Sequence, residues 1–242
     1  MKRYFSEAQR LLLVIRRGKV GAVAREVAKR TFSNRQSYLL RRDLTVPFQA
    51  AAAKQPIEIR PVRDSDIPEI LRARPGRLLL LRANIPTCYV AVTASGAIAY
   101  MQWLIARGEL ERFKPFFDGA LEELGEDEVL LEFAYTFEAF RGQKIMGAAM
   151  AAIAEKGRLS GARSAVTYVQ TDNAAALKGC AAAGFFPSMI REEKWRAFAF
   201  RESFRSAGDG AQRPSATSYP QAAEKASSIA GSASFLNPPP HA

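Results

Sequence analysis

Four residues, Arg141, Gly142, Gln143 and Lys144, stand between an apolar, strand-like stretch and an Ala- and Met-rich stretch that reads as a helix. A helix start leaves its first backbone N–H groups unpaired and carries partial positive charge, which suits an anion such as a pyrophosphate. Arg141 and Lys144 add two cations there, and Gly142 and Gly147 lack the bulk that would keep a ligand from the backbone. An ordinary strand-to-helix turn would have the same composition. Upstream, Glu132 sits between Leu131 and Phe133, so alternation points its side chain opposite to theirs. A carboxylate among apolar residues has a raised pKa and can act as a base near neutrality. The alternative is an edge or surface carboxylate, or one paired with an arginine. Glu138, on the following loop, is the second candidate.

Other chemistries fall away by composition. The single histidine, His241, is the second-last residue, which removes Ser-His-Asp and Cys-His catalysis and any histidine-based zinc centre. No metal site is expected. Two cysteines, Cys88 and Cys180, cannot form a disulfide framework and suit a reducing, cytoplasmic setting.

The elements that must position these residues follow from patterning. Residues 57–61 alternate as a strand, and Asp64 to Pro68 carries helix-start signals. Residues 88–92 and 97–105 read as two strands joined at Ser95 and Gly96. One or two helices are expected over 109–125, a strand over 129–137, a helix over 143–159 and a strand over 165–170. A short helix over 173–183 and a last strand around 195–200 follow. Hairpins mixed with βαβ crossovers indicate an α+β fold, a mixed and mainly antiparallel sheet flanked by helices. A dinucleotide fold is disfavoured because no glycine fingerprint follows the first strand.

The chain has 242 residues, 48% of them hydrophobic, and a net charge of +11. No apolar run approaches the ~20 residues of a spanning helix. Residues 1–43 hold 12 basic and 3 acidic groups, so the body is nearly neutral. The pattern predicts three regions: a basic, helical N-terminal segment and linker over 1–54, a folded main domain over 55–205, and a disordered Ser-, Ala- and Pro-rich tail over 206–242. The basic segment suits an anionic membrane, a nucleic-acid backbone or an acidic carrier protein, or packs as a solvated helix on the main domain. Few aromatics interrupt it, so nucleic acid is disfavoured.

Two stretches resemble the Gcn5-related N-acetyltransferase superfamily. Residues 133–150 resemble its strand, its Arg/Gln-x-x-Gly-x-Gly/Ala loop and its long helix; residues 168–185 resemble its strand, Asn-x-x-Ala and helix closing on Gly-Phe. The likeness spans about 150 residues in the family's order. It departs at Lys144 and Met146, where the family has glycines, and at Cys180, where many relatives have a tyrosine that protonates the leaving thiolate.

The resemblance implies a sheet-based acyltransferase that uses acetyl-CoA or another acyl-CoA to acylate an amine of a small molecule or protein. It implies a backbone N–H within Ala134, Tyr135 and Thr136 to polarise the thioester carbonyl, and a carboxylate, here Glu132, to take the amine's proton. It implies cofactor contacts from Arg141, Gly142, Gln143, Lys144, Met146 and Gly147, and from Asn173, which also caps its helix. Cys180 would stand in as the proton donor or serve as a small buried hydrophobe. Variants of this reading take the acyl group from an acyl carrier protein bound through residues 1–43, or place the enzyme at the inner face of a membrane. The competing reading is an adaptor that keeps the fold and has lost the cradle.

Overall fold

The computed structural model describes residues 28, 31–77, 80–81, 87–116 and 124–207. The chain divides after residue 211, and every described residue lies before that division. The strands are β1 (Phe32–Asp43), β2 (Ile57–Pro61), β3 (Cys88–Thr93), β4 (Ile98–Ala106), β5 (Glu128–Thr136), β6 (Ser164–Gln170), β7 (Phe186–Arg196) and β8 (Ala199–Ser206). The α-helices are α1 (Ile67–Ala73), α2 (Leu110–Phe113), α3 (Ile145–Leu159) and α4 (Ala174–Ala182). The strands form one sheet in the order β2-β3-β4-β5-β6-β1-β7-β8. Every neighbouring pair is antiparallel except β5 and β6, which run parallel. The expected α+β class and mixed, mainly antiparallel sheet are therefore what the chain adopts.

Alternation along the strands divides the core between the two faces of the sheet. Tyr100, Leu104 and Leu131 pack with Met150, Ile153 and Ala154 of α3 and Cys180 of α4. Met101, Trp103, Ile105 and Leu130 pack instead with Ile70 of α1 and Leu110 and Phe113 of α2. Burying each leucine, isoleucine, methionine or phenylalanine among them contributes roughly 1.5–3 kcal/mol. Gly147 makes the helix layer possible: a Cβ there would lie 2.9 Å from Cβ of Ala182, so α3 and α4 touch at that point. Its smallness is needed for helix packing, a role that sequence reading did not anticipate.

The region expected as a basic helical segment is corrected in its described part. Residues 32–43 form β1, a strand paired on one side with β6 and on the other with β7. Leu39 and Leu40, each 1% exposed, face opposite cores. Two of its cations are taken up internally: Arg41 pairs with Glu128, and Arg42 donates to the carbonyls of Ala151 and Ala183 and stacks on Phe48. The sheet thus begins at Phe32, ahead of the expected boundary at 54. Residues 1–27, and with them most of the expected helix, lie outside the described residues, as do 208–242 of the expected tail.

At the other end, the single strand expected near 195–200 is the tip of a hairpin, with Ala197 and Phe198 both at positive φ. No helix among the described residues is long and apolar enough to cross a membrane.

Because β1 is a central strand, Leu40→Ala should cost about 2–5 kcal/mol in urea denaturation, the range for a buried leucine. A cost below about 1 kcal/mol would mean that β1 is an appendage.

Candidate active site

The parallel pairing of β5 with β6 stops early. Only Glu128, Val129 and Leu130 pair, with Ser164, Ala165 and Val166. Beyond Leu130, β5 continues against β4, with Trp103 opposite Glu132 and Tyr100 opposite Thr136. Beyond Val166, β6 continues against β1, with Leu39 opposite Tyr168 and Ser37 opposite Gln170. The sheet therefore opens between β5 and β6, leaving residues 131–136 with no ladder partner on that side among the described residues.

A bulge in β5 accompanies the opening. Phe133 has φ of 57°, and the register with β4 shifts between Met101 and Trp103. Regular alternation from Leu130 would send Phe133 to the α3 face, yet it packs with Tyr135 in the core on the α1 side. The expected simple alternation around Glu132 is thus broken by one inserted residue. No glycine marks this position, so the sequence carries no signal for it.

Glu132 spans the opening. Its Oε1 accepts the backbone N–H of Tyr168 at 2.9 Å, where the β5–β6 ladder would otherwise continue, and its Oε2 accepts the N–H of Phe133 at 3.3 Å. The side chain is buried, with the residue 7% exposed. Burial pushes its pKa up to about 7, against the opposing pull of those two N–H groups and of Arg191 and Arg77. The carboxylate thus titrates near neutrality, as a general base must. Ala134 is exposed, and Tyr135 and Thr136 are half-buried, along the same open edge.

From the end of β5 the chain reaches the start of α3 through a 3-10 turn at Glu138–Phe140. Gly142 and Lys144 both take left-handed backbone, with φ of 75° and 59°. Lys144 is the N-cap, and no side chain caps the helix. The open space beside Gly142, with nothing within 4 Å of a Cβ built there, leaves the turn accessible. Arg141 reaches back toward β5, 5.9 Å from the Tyr135 ring, and pairs with exposed Glu138 at 3.5 Å. Gln143 differs from expectation: its side chain accepts from Gln55 at 2.7 Å and donates to the Ala139 carbonyl at 3.1 Å. It braces the turn against Gln55, with one amide N–H and one oxygen lone pair not used in these two bonds. Met146 turns its thioether onto α4, where even a Cβ on Gly179 would meet Sδ at 2.4 Å. The bulk on α3 is matched by a missing side chain on α4.

Asn173 caps α4 as expected, accepting the Ala176 N–H at 3.1 Å. Cys180 does not fit the acid's role. It is 1% exposed within the core on the α3 side, and burial pushes its thiol up to about 12. It serves as a small buried hydrophobe. The arginines near the opening went unnoticed in sequence because they lie far apart along the chain: Arg77 stacks on Phe133 at 4.0 Å, and Arg191, 2% exposed, lies 5.4 Å from the Tyr168 ring.

The Glu132 pKa has a consequence for stability. A carboxyl whose folded-state value is raised binds its proton more tightly when folded, so stability falls as pH rises from about 4.5 to about 7. Glu132→Gln should remove this fall while keeping an oxygen for the Tyr168 N–H. Denaturant titrations across that window should show the variant gaining on the wild type as pH rises; a constant difference would contradict the buried ionisation.

No protein-family model and no curated protein matches the chain. Among solved structures it is similar to an acetyltransferase of the GNAT family from Colwellia psychrerythraea, at 13% identity and a TM-score of 0.48, covering 69% of this chain and 57% of that one. It is also similar to a GCN5-related N-acetyltransferase from Sphaerobacter thermophilus, at 15% identity and a TM-score of 0.47, covering 74% of this chain and 57% of that one. The chain thus spans less than two thirds of either structure.

Proposed function

We propose that the chain is an acyl-CoA-dependent N-acyltransferase that transfers acetyl or another acyl group to an amine. The observation that carries this reading is the conjunction at one sheet opening. Unpaired backbone of β5 leads past a buried carboxylate titrating near 7 and, through one short turn at Glu138–Phe140, into a helix start with no side-chain cap and two left-handed residues. Acyl-CoA, as co-substrate, supplies an activated thioester and a pyrophosphate.

The residues fit such a ligand. The first N–H groups of α3 and the cations of Arg141 and Lys144 would take the pyrophosphate. Neither departure from the family pattern fills that turn, since Lys144 is exposed and Met146 lies against Gly179. The open edge at Ala134, Tyr135 and Thr136 would hold the extended arm by backbone hydrogen bonds and polarise the thioester carbonyl. Asn173 caps α4 and is free to touch the same arm through its remaining amide. Glu132, directly or through water, would accept the proton of the attacking amine, and its surroundings keep it half-ionised near neutral pH.

Calorimetric titration with acetyl-CoA and longer acyl-CoAs tests the reading, and absence of binding at millimolar ligand would refute it. With an accepted amine, kcat/KM should rise with pH through about 7 as Glu132 loses its proton. Glu132→Gln should lower kcat by roughly 10²–10⁴-fold and leave acetyl-CoA affinity unchanged. Equal turnover by the variant would remove Glu132 from catalysis.

A further inference from the structure

The geometry points to an acyl acceptor that carries an oxyanion, a carboxylate or a phosphate, close to its reacting amine. This deepens the acyltransferase reading and rests on it. Two arginines of the turn after α1 lie over the rings that β5 presents beside the opening. The Arg77 guanidinium is 4.0 Å from the Phe133 ring centroid, and that of Arg74 is 4.9 Å from the Tyr135 ring. Arg141 approaches the same Tyr135 ring from the α3 turn, at 5.9 Å. Three guanidinium groups from two separate loops thus gather on two rings at the open end of β5. Stacking orients a guanidinium by its face and leaves its N–H edge for a ligand.

Among the described residues the cluster has little counter-charge: Glu132 acts on Arg77, and Glu138 meets Arg141 at the surface. Nε of Arg77 is buried with no hydrogen-bond partner among the described residues. Burial first, and then the like charge of Arg74, hold Arg77 below its usual pKa, which only Glu132 offsets. The other nearby acids are engaged or exposed. Asp66 is held by both ends of the Arg60 guanidinium, at 2.6 and 2.9 Å. Glu138 meets Arg141 only at 3.5 Å, in an exposed pair of the kind that contributes little. Packing like charges beside a partly buried guanidinium is costly without an anion, and a planar fork suits a carboxylate or phosphate.

The placement also sets the substrate's form. Phe133, which carries Arg77, is the chain neighbour of Glu132. Arg77 also feels the charge of Glu132, so an anion held by Arg77 and Arg74 would bring an amine on the same small molecule toward the carboxylate proposed to take its proton. Amino acids and amino-alcohol phosphates have this arrangement; amino acid amides and simple amines do not.

The experiment uses the full chain with acetyl-CoA and matched acceptors: the standard amino acids against their amides, and O-phosphoethanolamine against ethanolamine. Calorimetric binding of each acceptor is measured beside CoA release. At least one anionic member should exceed its neutral counterpart about 10-fold or more in kcat/KM, the gain of one charge-assisted hydrogen-bonded contact. The pair that responds distinguishes carboxylate from phosphate. Arg77→Gln and Arg74→Gln should abolish the preference while acetyl-CoA affinity stays unchanged. Equal or better use of the neutral members, or a protein that binds acetyl-CoA and neither binds nor uses any anionic member, would overturn the inference. Arginine-dependent binding of an anionic amine without any acetyl-CoA binding would uphold the anion site and refute the transfer reading.

Discussion

One hydrogen bond organises the centre of the molecule: the Tyr168 backbone N–H donated to the carboxylate of Glu132. Two parallel strands that part after a few residues leave main-chain groups without partners, and each buried group left so costs about 1–3 kcal/mol. Glu132 meets one of these groups with a side chain in place of a strand. That substitution ties β5 to β6 by one side-chain hydrogen bond beyond the end of their ladder and leaves the rest of the β5 edge open. The same placement buries the carboxylate, and burial outweighs the two N–H donors and raises its pKa. A group that closes a structural gap thereby acquires the proton affinity of a base.

The surrounding structure holds that opening in place. The bulge at Phe133 keeps β5 bonded to β4 through the shifted register and turns Phe133 and Tyr135 toward the α1 side. On the other side, β6 is secured by β1 along its whole length, and β1 by β7. Arg42 links β1 to the carbonyl at the end of α4 and to α3. α4 in turn seats the start of α3 through Gly147 on Ala182 and Met146 on Gly179. The helix start and the strand edge therefore belong to one packed unit.

Much of this was legible in the sequence, and the rest failed for definite reasons. The strands at 57–61, 88–93 and 98–106 and the helix from 145 show clear periodicity, and their neighbours in the sheet are close in sequence. β1 escaped because its partners lie more than a hundred residues away, and because Arg35, Arg41 and Arg42 made it resemble its basic surroundings. Glu132 was readable as a carboxylate in an apolar strand, but the bulge beside it has no glycine to announce it. Gly147 and Met146 were read as parts of a ligand cradle because their partners on α4 are invisible from α3 alone. Each is half of a pair, and only the fold brings the halves together. The same holds for Arg74, Arg77 and Arg141, which become a cluster only when β5 lies beneath them.

The central claim is that the opening between β5 and β6 receives the acyl donor and that its boundary includes the start of α3. Backbone hydrogen exchange of the full chain with and without acetyl-CoA tests this most directly. Added protection is expected over residues 131–136 and 141–147, with little change along β7 and β8. Unchanged exchange in both stretches under saturating acetyl-CoA, or protection confined to β7 and β8, would contradict it.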